Sequence, residues 1–137
     1  DLHSFPTRRS SDLEIFSDGH YWTTFFNSEA RYTLSAGAKA FTMNGNKQLY
    51  LLGDGSVIPA GVAVIVIADS STITLTKSSD TEPIAVSGTE NKLKGSSTAV
   101  PANGNQYVLG IANETLGFYL FTGSSIPAMK AYYEVEE

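Results

Sequence analysis

Apolar residues recur at every second position along most of the chain beyond residue 20. TITLTK (72–77) sets Ile73 and Leu75 on one face and threonines on the other. QYVLGI (106–111) does the same with Tyr107, Leu109 and Ile111, and TLGFYLF (115–121) with Leu116, Phe118 and Leu120. AMKAYYEV (128–135) turns Met129, Ala131, Tyr133 and Val135 inward and leaves Lys130, Tyr132 and Glu134 outward. A period of two marks half-buried antiparallel strand, because successive side chains leave opposite faces of a sheet. VAVIVIA (62–68) is apolar on both faces, which predicts a central strand covered from both sides.

The breaks between these runs carry turn chemistry. Asn44-Gly45 and Asn103-Gly104 are suited to the positive φ of tight hairpins. Gly53-Asp54-Gly55-Ser56 and Ser78-Ser79-Asp80 are polar interruptions. No stretch of ten or more residues holds a 3.6-residue period free of glycine and β-branched breaks. Many short strands with frequent turns predict an all-β fold, an antiparallel β-sandwich or jelly-roll-like domain, with a small closed β-barrel as the alternative. GSVIPAGVA (55–63) is echoed by GSSIPAMKA (123–131). Proline lacks an N–H and pushes the residue before it into extended backbone, so the echo predicts two equivalent corners leading into strands. A duplicated binding loop is the other reading of the same echo.

Residues 1–13, DLHSFPTRRSSDL, have neither the apolar run of a secretory signal nor an amphipathic period. All thirteen are similar to one translated reading frame of a common short-read sequencing adapter. That resemblance implies a non-native, disordered leader in which His3, Arg8 and Arg9 have no function, ahead of a single module over 14–137 that is the C-terminal part of a longer protein.

Composition narrows the function classes. The net charge of −5 survives removal of the leader, which takes away two arginines and two aspartates. An acidic chain lacks the clustered cations that neutralise phosphates, so a nucleic-acid partner is not expected. No run reaches 18 apolar residues, so no membrane span is expected. With no cysteine there is no disulfide, thiol catalysis or cysteine zinc site.

Candidate chemistry is sparse. Beyond the leader, His20 is the one histidine, and the G-x-S-x-G arrangement that exposes a serine nucleophile does not occur. Asp18 and His20 flank a glycine, but two donors fall short of the three or four a metal site needs. Asp69, Asp80, Glu82 and Glu90 sit in or beside Ser/Thr-rich turns and read as solvated loop charges rather than a glycosidase pair. GDGS (53–56) has a single acid and reads as a turn, not a calcium loop. Asn113-Glu114-Thr115 matches a short glycosylation sequon that arises often by chance. No catalytic residue, metal ligand or cofactor is therefore expected. Aromatic residues are the one surface feature with a binding chemistry, since flat rings with a polar edge stack on sugar C–H faces. Tyr21, Trp22, Phe25 and Phe26 cannot all face one core, and Tyr119 and Tyr132 fall on outward positions. Trp22, Tyr119 and Tyr132 are the candidate ligand-binding residues. The competing expectation is that a second sheet or a neighbouring domain covers those faces.

From Tyr21 to Val135 the chain resembles a β-rich module found near the C-termini of large exported proteins of gut and oral Bacteroidetes (Bacteroides and Prevotella relatives). The resemblance rests on the ordered set YWTTFF (21–26), AKAFTM (38–43), VIPAGVAVIV (57–66), NKLKG (91–95), YVLG (107–110), LGFYLF (116–121) and IPAMKAYYEV (126–135). Met129 stands where the pattern more often has Asn, and the final EVEE is more acidic than the usual apolar finish. The resemblance implies a non-catalytic accessory module of a secreted or cell-surface bacterial protein, located outside the cell. Its implied partners are upstream domains of the same polypeptide. The alternative is a carbohydrate- or protein-binding module, with a glycan or surface protein as partner. A third reading is a fragment of a glycoside hydrolase or peptidase whose active site lies elsewhere.

Overall fold

The computed structural model describes residues 8–12, 15–46, 48–78 and 91–135, with the main chain only for 8–12. Among them are no helices and fifteen strands: β1 (Arg8–Asp12), β2 (Ile15–Ser17), β3 (His20–Phe25), β4 (Arg31–Leu34), β5 (Ala38–Met43), β6 (Leu49–Leu51), β7 (Val57–Ile58), β8 (Val64–Ala68), β9 (Thr72–Ser78), β10 (Leu93–Gly95), β11 (Val100–Pro101), β12 (Gln106–Ala112), β13 (Thr115–Leu120), β14 (Ser125–Ile126) and β15 (Ala131–Glu134). They form a five-stranded sheet β2-β3-β8-β5-β6, two four-stranded sheets, β1-β9-β4-β7 and β10-β15-β12-β13, and a ribbon β11-β14. Every pairing is antiparallel. None of these sheets closes into a barrel; the fold is an all-β sandwich.

Two hydrophobic cores explain the layering. Val64, Val66 and Ala68 of β8 point to one side, where they meet Tyr32, Ile58, Ile73 and Leu75 of the β1-β9-β4-β7 sheet. Ile65 and Ile67 point to the other, where Leu93, Leu109, Phe118, Ala131 and Tyr133 of the β10-β15-β12-β13 sheet lie. The five-stranded sheet is thus the middle of three layers, as a strand apolar on both faces requires. The same alternation sorts the aromatic run of β3: Tyr21 and Phe25 join the first core, Trp22 and Phe26 the second.

The IPA echo is structural. Ile58 and Ile126 each end a two-residue strand, each is 1% exposed, and the residues three positions on, Gly61 and Met129, both have positive φ, 81° and 70°. Each corner re-aims the chain into a strand of a different sheet, β8 and β15. Both are pinned to the end of β3: the Gly61 N–H donates to the Asn27 carbonyl (2.8 Å), and the Phe26 N–H donates to the Met129 carbonyl (3.0 Å). A left-handed backbone costs an ordinary L-residue about 1–2 kcal/mol, and asparagine tolerates it better. Met129→Asn is therefore expected to raise stability by about 0.5–1 kcal/mol and the β-branched Met129→Val to lower it, as measured by urea unfolding.

Ile111, Leu120 and Val135, placed inward by their spacing, are exposed at or just past the ends of their strands, and two further expectations need correction. Among the turns, Gly104 has the expected positive φ of 87°, but Gly45 does not share it. There the Asn44 side chain shapes the turn instead, its Oδ1 accepting the N–H groups of Asn46 and Gln48 (2.9 Å each). The second concerns the leader, which is not wholly disordered: Arg8–Asp12 pairs with β9 from Arg8↔Thr76 to Asp12↔Thr72. The open edge of β9 presents a row of N–H and C=O groups, and any extended segment satisfies them without needing an apolar side chain. Residues 1–7, 13 and 14 lie outside the described residues.

Candidate functional site

Two grooves flank β10, an edge strand of its sheet. A groove of about 400 Å³ on one side is lined by Lys92, Leu93, Lys94, Tyr133, Glu134 and Val135. On the other side, Phe26, Val62, Ala63, Leu93, Gly95 and Tyr132 line one of about 510 Å³. Asn91, Leu93 and Lys94 belong to both.

The local sequence explains why β10 sits there. The Asn91 Oδ1 accepts the N–H groups of Met43 and Leu93 (3.2 Å each), while its Nδ2 donates to the Ala63 carbonyl (2.9 Å). One side chain thus ties β10 to the strands and loop of the middle sheet. Leu93 is buried in the second core, and Gly95 lies so close to the Phe26 ring that no Cβ fits. Each fixed position of the N-x-L-x-G stretch has a packing task. Besides Lys92, the groove holds a cross-strand charge pair, Lys94 Nζ to Glu134 Oε1 at 4.0 Å, partly exposed and so of little energetic weight.

Tyr132 was expected outward and exposed; it is on the predicted face but buried, at 7% exposure. Alternation sets the face of a side chain, not what covers it. β15 is an interior strand of its sheet, and Tyr132 is flanked by Lys94, its register partner on β10. Burial pushes the Tyr132 hydroxyl above its ordinary pKa of 10.0, and the Glu134 carboxylate adds to the rise. A raised acid favours the neutral phenol in the fold, so its contribution is complete below the unfolded value and is lost as pH climbs through the folded one. Ultraviolet titration is expected to show a phenol ionising late, and Tyr132→Phe to remove that component; an unchanged profile would refute the assignment.

The other two candidates lie elsewhere. Trp22 packs against the second core, and its indole N–H donates to the Ser17 carbonyl (2.9 Å). Tyr119 remains on the outward face of the β12–β13 hairpin, with its ring beside the cross-strand pair Gly110 and Gly117 and its hydroxyl donating to the Thr115 carbonyl (2.6 Å). Trp22 faces the interior from the middle layer and Tyr119 faces away from it on the outer layer. The structure does not bring the three rings into one patch.

His20 gains a neighbour that spacing alone did not reveal. The register Tyr21↔Ala68 carries Asp69 next to it, with Nε2 and Oδ1 3.6 Å apart and both side chains largely exposed. Its Nδ1 lies 3.1 Å from the Asp18 carbonyl, a contact that fits an Nδ1–H donor because a carbonyl only accepts. Asp18 thus offers His20 its main chain, not its carboxylate. No group of three or more metal-ligating side chains occurs among the described residues. Asp54 is tied to its own turn: the Ser56 hydroxyl (2.6 Å) and N–H (2.9 Å) donate to Oδ1 and lower its pKa below 3.8. The sequon residues Asn113 and Glu114 form the tip of the β12–β13 hairpin, both with positive φ, the geometry of a two-residue type I′ turn. Asp80, Glu82 and Glu90 lie outside the described residues. No described helix is long and apolar enough to cross a membrane.

No family model, curated protein or solved structure matches the chain.

Proposed function

We propose that this chain is a non-catalytic accessory module of a secreted or cell-surface bacterial protein, acting by packing, spacing or display beside other domains of the same polypeptide. One observation supports this most: the residues of the shared motifs are occupied in holding the fold together. Ile58 and Ile126 seal two corners, Asn91 clamps three main-chain groups, Leu93 fills a core, and Gly95 admits Phe26. Trp22 and Tyr132 are drawn into packing as well. A module most of whose distinctive residues serve its own interior has a surface free to vary with its context.

A second reading, glycan binding, is favoured by Tyr119 alone, whose ring lies beside two side-chain-free positions on an outer face. A glycan array spanning plant, host and bacterial sugars separates the two. The accessory reading expects a flat response; saturable binding abolished by Tyr119→Ala would replace it with the second.

A further inference from the structure

β9 has the sequence of an interior strand and the position of a near-edge one. TITLTKS has no proline, and its inward residues Ile73 and Leu75 are buried at 3% and 2%. Edge strands usually guard their free N–H and C=O groups with charged side chains, lysine above all, or with proline, bulges or very short length. In this seven-residue strand the one such guard, Lys77, stands near the end, so the stretch from Thr72 to Thr76 is left to need a neighbour on both sides. On one side it has β4; on the other, among the described residues, it has only Arg8–Asp12.

That neighbour brings no apolar residue. Arg-Arg-Ser-Ser-Asp offers nothing to a core, so the pairing is built from main-chain hydrogen bonds. Which bonds these are follows from the other edge. The Thr74 carbonyl accepts the Ser35 N–H (3.0 Å), and the Thr74 N–H donates to the Ser35 Oγ (3.1 Å). The main-chain groups of Thr74 therefore point toward β4. Because these groups alternate along a strand, those of Ile73 and Leu75 point toward β1. Their register partners are Ser11 and Arg9, whereas Ser10 opposite Thr74 directs its main chain away.

We infer that the outer edge of β9 is a docking site for an extended polar peptide strand, recognised through the main chain of Ile73 and Leu75, and that Arg8–Asp12 is its occupant in cis. Side-chain identity matters little to such a site, while the N–H groups at two alternate positions of the guest matter a great deal.

The test uses the full chain with Arg9→Pro and Ser11→Pro, which remove the two guest donors and touch no residue of either core. In hydrogen exchange, Ile73 and Leu75 amides are expected to lose about tenfold or more protection in this variant, with Thr74 unchanged as the internal sign of an intact fold. A fluorescein-labelled peptide of residues 7–13 should then bind the variant at least about tenfold more tightly than the parent, whose site is filled. Methylating the peptide nitrogens at Arg9 and Ser11 should abolish that binding, and methylation at Ser10 should leave it intact. Equal protection of Ile73 and Leu75 in both proteins, or indifference to where the methyls stand, would overturn the inference. So would a variant that sediments as a dimer and ignores the peptide, because the edge then pairs with a second copy. None of these outcomes bears on glycan binding, so this inference and the accessory reading fail separately.

Discussion

Replacing Asn27 by alanine is expected to destabilise the protein by about 2 kcal/mol, because two N–H groups lose their acceptor in a part-buried turn. Asn27 is 3% exposed, and its Oδ1 accepts the N–H groups of Glu29 (2.9 Å) and Ala30 (2.8 Å). Its Nδ2 reaches the Met129 sulfur at 3.5 Å, and its own carbonyl receives the Gly61 N–H. The residue therefore joins β3 to both IPA corners, one in each half of the chain. Asn27→Asp keeps an acceptor for both amides and is expected to cost less than half as much at neutral pH. Urea unfolding at fixed pH checks both; an alanine variant within about 0.5 kcal/mol of the parent would show that water satisfies those groups.

Gly95→Ala is expected to cost about 3 kcal/mol, at the upper end for overpacking, because the new Cβ would overlap the Phe26 Cβ and Cγ. Those atoms are the root of a side chain in the second core, not the far end of a flexible one, so the strands themselves must separate. Phe26→Ala removes the Cγ and Cδ1 that the new Cβ would meet and should recover part of the loss. Combining the two changes is expected to be less destabilising than their sum by about 1 kcal/mol or more. Strict additivity in that cycle would mean that β10 moves away as a unit and the contact with Phe26 does not matter.

The strands were legible because burial leaves a two-residue rhythm. Ile73 and Leu75, Leu109 and Phe118, and the two-sided Val64–Ala68 run all lie where their spacing put them. Legibility failed at Tyr132, where the face was right and the exposure wrong, since the cover over an outward position comes from other parts of the chain. It failed again at Asn44, whose turn is made by a side-chain acceptor where the Asn-Gly pair suggested a glycine conformation. The partnership of His20 with Asp69 was out of reach, because it depends on the β3–β8 register across 48 intervening positions.

What the sequence determined by itself is the kind of layer this chain builds. Alternation decides which side chains share a face, and a run apolar on both faces demands a sheet on each side. The IPA corners and N-x-L-x-G were equally visible as local signals, although not what they held. Only the tertiary structure decided that there are two cores, that Trp22, Tyr119 and Tyr132 go to separate places, and that a polar segment with no apolar residue can still join a sheet. The reason is common to all three: period is a property of neighbours along the chain, whereas cover and main-chain pairing depend on what the rest of the chain brings alongside.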